Sequence, residues 1–471
     1  MMKPYTRVFQ LVLVVIGGLG AGLLLPVPSG IQSSEWQILI LFVFTVGAVL
    51  WNPYPIGVIV LISLSLGLIL GTLSLSQALR GFSNSVTWII VAAFLFARAF
   101  IKTGLGRRIA LEFISRVGSS SLRLGYSLAL TDLVLAPVTA SNTARSGGII
   151  FPIARSLSQE FGSRPGPTAA RIGSYLLFTA FQINVITSAT FLTAMAANGL
   201  SVQLARDAAG VNITWGLWFA AASLPSLISL MVVPYLIYRA YPPQLKETPE
   251  ARAYALTQLG QLGPMKREER LLSGVFVALA LTWATSSYHS ISTVAAAFGA
   301  VALLLVFEIL EWNDVCGEKS AWGTLIWFGG FISLSAALNE TGLMPRLIDA
   351  TRDWFRGWHG VMALLVLVVI YLYLHYGFAS MTSQIIALYA AFLAIAVLAG
   401  APKLLAALLL CFFSNLDASL THYGDGAAPI YFGSGYIDQR SWWRVGFLIS
   451  IANLLIWLGV GLPWWRLLGI W

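Results

Sequence analysis

Long apolar runs separated by short polar loops fill this chain almost from end to end. A helix needs about 20 apolar residues, each rising about 1.5 Å, to cross a bilayer's hydrocarbon core. By that measure residues 8–25, 36–51, 55–71, 85–101, 169–197, 215–238, 271–287, 291–310, 322–338, 404–420 and 443–462 predict about eleven transmembrane helices. Two further apolar stretches break off in the middle. Residues 122–157 carry Pro137 and the polar cluster Thr139, Ser141, Asn142 and Thr143 at their centre; residues 360–398 are interrupted by His375, Gly377, Ser380, Thr382 and Ser383. Each arm of the first is about 22 Å long, short of a core about 30 Å thick. The pattern predicts two re-entrant helical hairpins with tips at mid-membrane, where only protein or a watery cavity can surround them.

Composition agrees with a membrane solvent. Of 471 residues, 58% are hydrophobic and 10% charged, against about a quarter charged in soluble domains. The net charge of +9 does not point to nucleic acid, because the basic residues sit in short loops between apolar runs. Lys102, Arg107, Arg108, Arg116 and Arg123 follow the fourth span, and Lys246, Arg252, Lys266, Arg267 and Arg270 lie in the linker 241–270. By the positive-inside rule this places the N-terminus in the cytoplasm and the C-terminus outside, in a multi-pass protein of the cell inner membrane. Arg346, Arg352 and Arg356 are balanced by Glu340, Asp349 and Asp353. Lys3 and Arg7 precede an apolar run without a cleavage site of small residues, which reads as a retained first helix. Cys316 and Cys411 are too far apart in sequence to suggest a disulfide framework or a metal motif.

The chain repeats itself. Thr103-Gly104-Leu105 recurs as Thr341-Gly342-Leu343, the tip Ala140-Ser141-Asn142-Thr143 recurs as Ala379-Ser380-Met381-Thr382, and Trp88 recurs as Trp327, all at an offset of 238 or 239 residues. Three spans lie between the halves, and an odd number of crossings inverts the second relative to the first. Interrupted segments at matching places in an inverted repeat are the sequence pointer to a transporter with its site at the midplane. The expected fold is an all-α polytopic protein with an inverted-topology repeat. Scaffold spans and a first arm helix occupy 1–119. Residues 120–241 hold the first hairpin and broken span; 242–358 a linker, three scaffold spans and a second arm helix; 359–471 the second hairpin and broken span.

Candidate chemistry gathers at the interruptions. Ser141, Asn142 and Thr143 precede one helix, and Ser380, Met381 and Thr382 another; serine, threonine and asparagine are cap types, and an uncapped helix start offers amides and a positive dipole end to an anion. Two such starts facing one another suit an anion charged at both ends. The plainer alternative is that these residues merely cap helices. Each hairpin is followed by a broken span, one from Ile186, Thr187 and Ser188 to Asn198-Gly199, the other from Asn415 through Thr421, His422 and Asp425 to Ala428-Pro429.

The blocks Ser414-Asn415-Leu416, Leu420-Thr421-His422-Tyr423-Gly424 and Ala428 to Tyr436, with the Ser141-Asn142-Thr143 tip, resemble the divalent anion/sodium symporter family. Within it the chain is most similar to the 2-oxoglutarate/malate translocator and citrate/succinate antiporter branch. The resemblance implies a homodimer moving by an elevator mechanism, with the tips and broken helices binding a dicarboxylate and no cofactor beyond Na⁺. In a sodium-coupled reading the ion sits near Ser141, Asn142, Ser380 and Thr382. Met381 departs from the asparagine that sodium-coupled members repeat, and Asp425 is unexpected beside an anion. Arg145 and His422 suggest fixed positive charges in place of sodium, and hence anion exchange; the alternatives are that Arg145 pairs with Asp132 or reaches the membrane surface, and that His422 is a neutral, hydrogen-bonding histidine. Gly424-Asp425-Gly426 superficially suggests an intramembrane aspartyl protease, which requires a second carboxylate sharing its proton and leaves the repeat without a role. An ion channel would need a filter or charged ring, and neither is visible.

Overall fold

A computed structural model of the chain describes residues 26–27, 31–51, 53–285, 289–343 and 360–471. The expected first span, 8–25, and the stretch carrying Arg346, Arg352 and Arg356 lie outside them. Among the described residues the fold is all-helical. The first half comprises α1 (Ser33–Trp51), α2 (Ile56–Ile69), α3 (Ser85–Thr103), α4 (Leu105–Val117), α5 (Ser121–Leu135), α6 (142–160), α7 (Gly173–Thr190), α8 (Ala196–Ala209) and α9 (Trp215–Ala240). After a linker helix, α10 (Glu250–Leu262), come α11 (Arg267–Ala284), α12 (Thr293–Val306), α13 (Lys319–Glu340), α14 (Gly360–Leu374), α15 (Met381–Leu398), α16 (Lys403–Leu416), α17 (Ala428–Gly433) and α18 (Gln439–Gly459).

Seven described helices are long and apolar enough to cross a membrane by themselves. Five of them fall on the eleven expected spans, and the other two, Gly360–Gly377 and Met381–Leu398, are the arms of the second hairpin, while α2 and α12 are apolar but only 14 residues long. Large exposed apolar side chains such as Ile69, Met231, Val306 and Leu455 mark the lipid face. All 18 residues of α7 are buried. It runs through the centre, packed on α5, α9 and α16, and so needs no lipid-facing stripe.

Local chemistry sets the helix ends. Asn84 caps α3 by accepting from the Val86 amide at 2.8 Å, and Thr214 caps α9 by accepting from Leu217 at 3.2 Å. Gly104 ends α3 in the left-handed region at φ 74°, which glycine adopts without steric cost. Its repeat counterpart Gly342 does the same at φ 65°. In each copy the threonine hydroxyl accepts from the leucine amide, Thr103 from Leu105 at 3.4 Å and Thr341 from Leu343 at 3.1 Å. The sequence repeat is a structural repeat.

The repeat is inverted. Lys102, in the last turn of α3, pairs with Asp314 at 2.5 Å and Glu311 at 3.0 Å, just ahead of α13. Arg80, just ahead of α3, pairs with Glu340 at the end of α13. The two helices therefore run antiparallel, and the equivalent residues Thr103 and Thr341 stand at opposite ends of the pair.

Both interrupted stretches are hairpins that return to the side they left. At the base of the second, the Gly360 amide donates to the Ala399 carbonyl at 2.9 Å. In the first, the segment 244–248 stitches the two ends together: Ser121 donates to Lys246 and Thr248 to Ser119, while Gln244 and Leu245 donate to Ala170 and Arg171. Both hairpins share one internal plan at an offset of 239: Gly360 follows Ser121, His375 follows Ala136, Met381 follows Asn142, and Ile385 follows Ser146 as the first residues of corresponding helical pieces.

One boundary differs from expectation. The first broken span stays helical through Ile186, Thr187 and Ser188 and opens only at Phe191–Met195. Ser188 turns its hydroxyl back to the Asn184 carbonyl at 2.7 Å, and the Thr187 hydroxyl, 3.1 Å from the same carbonyl, gives its proton to Asp132, so both remain in the helix.

Candidate functional site

The first tip starts α6. Pro137 lies in the tight turn Ala136–Val138, the chain extends through Ser141, and the Ser141 hydroxyl accepts from the Ala144 amide at 3.1 Å. Asn142 and Thr143 are the first residues of the new helix, so their amides have no intrahelical acceptor. Three residues on, Arg145 is fully buried. Its Nε donates to Asp132 at 3.0 Å, Nη1 to the carbonyls of Thr139 at 3.1 Å and Ala194 at 3.0 Å, and Nη2 to the hydroxyls of Thr187 at 3.2 Å and Ser188 at 3.1 Å. A guanidinium has five N–H donors, and all five are accounted for. Thr187 in turn donates to Asp132. Arg145, Thr187 and Ser188 thus close on one another and on Asp132, where the sequence had suggested ligand contacts. Arg145 neither reaches the surface nor offers a spare donor; its role is to clamp the first tip to the first break.

The second break opens after Leu416 and runs to Ala428. It lies against the first tip. The Asn142 side-chain amide donates to Asp425 Oδ1 at 2.9 Å. A Cβ placed on Gly426 would stand 2.5 Å from Thr143 Oγ1. Ser146 donates to the Tyr431 hydroxyl at 2.8 Å. Asn415 donates to Asn198 Oδ1 at 2.8 Å, which joins the two broken spans directly. Around this seam the buried oxygens Asp425 Oδ2, Thr421 Oγ1, Asn415 Oδ1, Asn184 Oδ1 and Gln182 Oε1 have no hydrogen-bond partner. Buried acceptors of this kind are rare in native proteins and mark a strained, catalytic or ligand-binding place.

The second tip is built differently. Ser380 stands at the N-cap position but makes no cap hydrogen bond; Met381 is buried, and Thr382 is half-buried. The tip is tied to the second break through His375, whose Nε2 lies 3.1 Å from the Gly424 carbonyl oxygen. His422 faces away from this seam: its Nδ1 accepts from Trp443 Nε1 at 3.1 Å, and its ring packs on Phe432. A nitrogen that accepts carries no proton, so His422 is neutral here. The structure therefore brings Asn142, Thr143, Thr421 and Asp425 to one seam with Asn415 beside it, closes Arg145, Thr187 and Ser188 into a clamp, and leaves Ser380 and Thr382 at the second tip, which meets the same open turn through His375 and Gly424.

Sequence reasoning passed over His375, Gln384 and Asp417 as parts of the site. The repeat offset contained the signal: Gln384 follows Arg145 by 239 residues, and the two close corresponding first turns, Asn142–Arg145 and Met381–Gln384.

Residues 5–471 match the family model described as the sodium:sulfate symporter transmembrane region. The chain is 47% identical over 448 residues to YflS of Bacillus subtilis strain 168, covering 95% of this chain and 94% of that one. It is 41% identical over 465 residues to dicarboxylate transporter 1, chloroplastic, of Arabidopsis thaliana, covering 97% and 83%, and 36% identical over 455 residues to the inner membrane protein YbhI of Escherichia coli K12, covering 95% of each. The crystal structure of the YdaH transporter of Alcanivorax borkumensis shares the fold, with a TM-score of 0.55 over 84% of this chain and 90% of that one at 14% identity.

Proposed function

The chain belongs to the sodium:sulfate symporter family, and from that premise we propose that it carries small dicarboxylate anions, of the malate, succinate, 2-oxoglutarate and citrate class, across the inner membrane by exchange. Its family and named relatives are transporters, which removes the protease reading of Gly424-Asp425-Gly426. The relatives support the substrate class: the name of YflS proposes malate transport, and the chloroplast protein is named a dicarboxylate transporter.

The observation that carries the reading is the seam between the first tip and the second break. A new helix start whose Asn142 and Thr143 amides have no intrahelical acceptor lies against an open, buried turn that carries the partnerless Thr421 hydroxyl, and amides and a hydroxyl are the donors a carboxylate accepts from. Arg145 favours exchange. It bonds the first tip to the first break through groups on both, so a permanent side-chain cation holds together what a bound ion would otherwise bridge.

Sodium-coupled symport is the second reading, favoured by the partnerless oxygens of Asn415, Thr421 and Asp425, since oxygen-only sets suit hard cations. Under either reading residues 120–241 and 359–471 form the moving transport unit, residues 1–119 and 242–358 the scaffold of a homodimer, and the elevator mechanism carries the seam across the lipid with the N-terminus cytoplasmic.

Proteoliposomes with labelled malate or 2-oxoglutarate test this, with internal dicarboxylate and the sodium gradient varied independently. Uptake is expected to need internal dicarboxylate and to ignore sodium. Uptake that needs sodium and ignores the internal anion overturns exchange; absence of counterflow for every dicarboxylate overturns carriage itself.

A further inference from the structure

His375 is fully buried, and both of its ring nitrogens face acceptors. Nε2 meets the backbone carbonyl of Gly424 at 3.1 Å. Nδ1 meets the side-chain oxygen of Gln384, and that amide cannot turn over, because its NH₂ donates to the Tyr371 carbonyl at 2.8 Å. A neutral imidazole has one donor and one acceptor; two donors exist only in the cation. The counter-ion stands beside it. Asp417 Oδ2 is 3.6 Å from His375 Nδ1, and both Asp417 oxygens are buried without a hydrogen-bond partner.

The repeat gives this pair its meaning. In the first half Arg145 and Asp132 bind the tip to its break. The residue equivalent to Arg145 is Gln384, which carries no charge, and the residue equivalent to Asp132 is Tyr371. The second half supplies its positive charge from His375 and its negative one from Asp417. Charge in the first half is permanent, whereas in the second it depends on a proton.

We propose that His375, with Asp417 as counter-ion, is a proton-binding site that latches the second tip to the second break and must be occupied for a dicarboxylate to bind. This rests on the reading of the chain as an anion carrier. Deprotonation turns a nitrogen lone pair against either the Gly424 carbonyl or the Gln384 oxygen, and the latch opens. It also strips Asp417 of its compensation, leaving a buried carboxylate close to where an anion must enter. The other titratable groups of this corner are Tyr371 and Tyr376 on the hairpin's first arm and turn, Tyr389 on its second arm, Cys411 on α16, and Tyr423 and Asp425 in the open turn. Arg145 is spent on Asp132 and cannot take the proton's place, and His422 is turned onto Trp443.

The test is dicarboxylate counterflow at equal internal and external pH, from about pH 6 to about pH 9, which lies above the ordinary carboxylate range of about 4 and spans imidazole's usual value of about 6.5. 2-Oxoglutarate is the substrate of choice, because both of its carboxyls stay ionised over this range. In the unaltered protein KM is expected to rise about tenfold per pH unit once pH passes the His375 pKa in the fold, because the protonated fraction falls by that factor. His375→Gln and Asp417→Asn are expected to flatten the profile. A KM independent of pH in the unaltered protein, or an unchanged slope in His375→Gln, overturns the proposal while leaving carriage intact. Melting of detergent-solubilised protein gives a readout independent of transport. The stability advantage of the unaltered protein over His375→Gln should be full at the acid end and vanish as pH rises; a constant gap overturns the proposal even if no form transports. Loss of counterflow at every pH together with a closing gap overturns the carrier reading and sustains the proton site.

Discussion

The side-chain amide of Asn142 donates to Asp425 Oδ1 across 2.9 Å, bonding the tip of the first hairpin to the open turn of the second half, 283 residues later in the chain. The bond explains why an aspartate is tolerable near an anion site. One of its oxygens is held by the same residue whose backbone amide begins the helix, so the tip and the turn are fixed relative to one another before a ligand arrives.

Asn142→Ala should therefore weaken dicarboxylate exchange while leaving folded protein. It leaves Asp425 without its Asn142 donor, and an unpaired buried acceptor costs about 1–3 kcal/mol of stability, so the tip and the turn lose their fixed relation and KM should rise. Asn142→Asp should be worse, since it sets two carboxylates together. Counterflow KM beside a gel-filtration profile checks both; a KM near that of the unaltered protein for Asn142→Ala would remove the seam from the site.

Gly426 is a steric requirement. A methyl group there comes within 2.5 Å of Thr143 Oγ1, and overpacking of this kind costs about 1–3 kcal/mol. Gly426→Ala is expected to lower the melting temperature, and Thr143→Ala in the same molecule to restore most of it by removing the clashing hydroxyl. Thermal melts of the two single variants and the double measure this; equal losses that simply add would show that the two residues do not touch.

The Arg145–Asp132 pair should behave as a unit. Removing one partner strands the other as a buried charge, at about 3–5 kcal/mol, so Arg145→Gln and Asp132→Asn each should strongly destabilise the protein. The double variant should fall well short of the sum. Arg145→Lys keeps the charge but offers three donors where five acceptors wait, and it too should melt early.

Outside the membrane-spanning helices, Asp314 is held below the ordinary carboxylate range, first by the hydrogen bond from Lys102 and next by the Glu311 amide. A depressed carboxylate adds stability that is present above its unfolded pKa and lost as pH falls through its folded pKa. The stability advantage of the unaltered protein over Asp314→Asn should thus be full near neutrality and shrink below about pH 4. Melts of both proteins across the acid range check it, and a gap that ignores pH would exclude the ion pair as its source.

Much of the architecture was legible in the chain because a bilayer restricts the choices. Apolar run lengths pointed to five of the helices long and apolar enough to span, and the polar interruptions at Ser141 and Ser380 pointed to both hairpin tips, since backbone cannot break inside lipid without a reason. The repeat at 239 residues announced two like halves, and the Thr-Gly-Leu turns, hairpin pieces and antiparallel α3 and α13 agree with it. The break in the first broken span lies later than the sequence suggests, because Thr187 and Ser188 look like interruptions yet stay helical, Ser188 bonding back to Asn184 and Thr187 donating to Asp132.

Partner choice was not legible. Arg145 beside a polar tip reads as a ligand for an anion or as a partner of Asp132; the fold realises the pair, and only folded geometry reveals that two carbonyls and two hydroxyls take up its remaining donors. His422 reads equally as a second cation or as a neutral hydrogen-bonding histidine, and the fold decides for the second by setting Trp443 as its donor, while His375 meets the Gly424 carbonyl. Local pattern is set by helix period and bilayer thickness, which every stretch of sequence carries in itself. Which buried donor meets which acceptor depends on segments hundreds of residues apart arriving at one point, and that is decided only when the two inverted halves pack together.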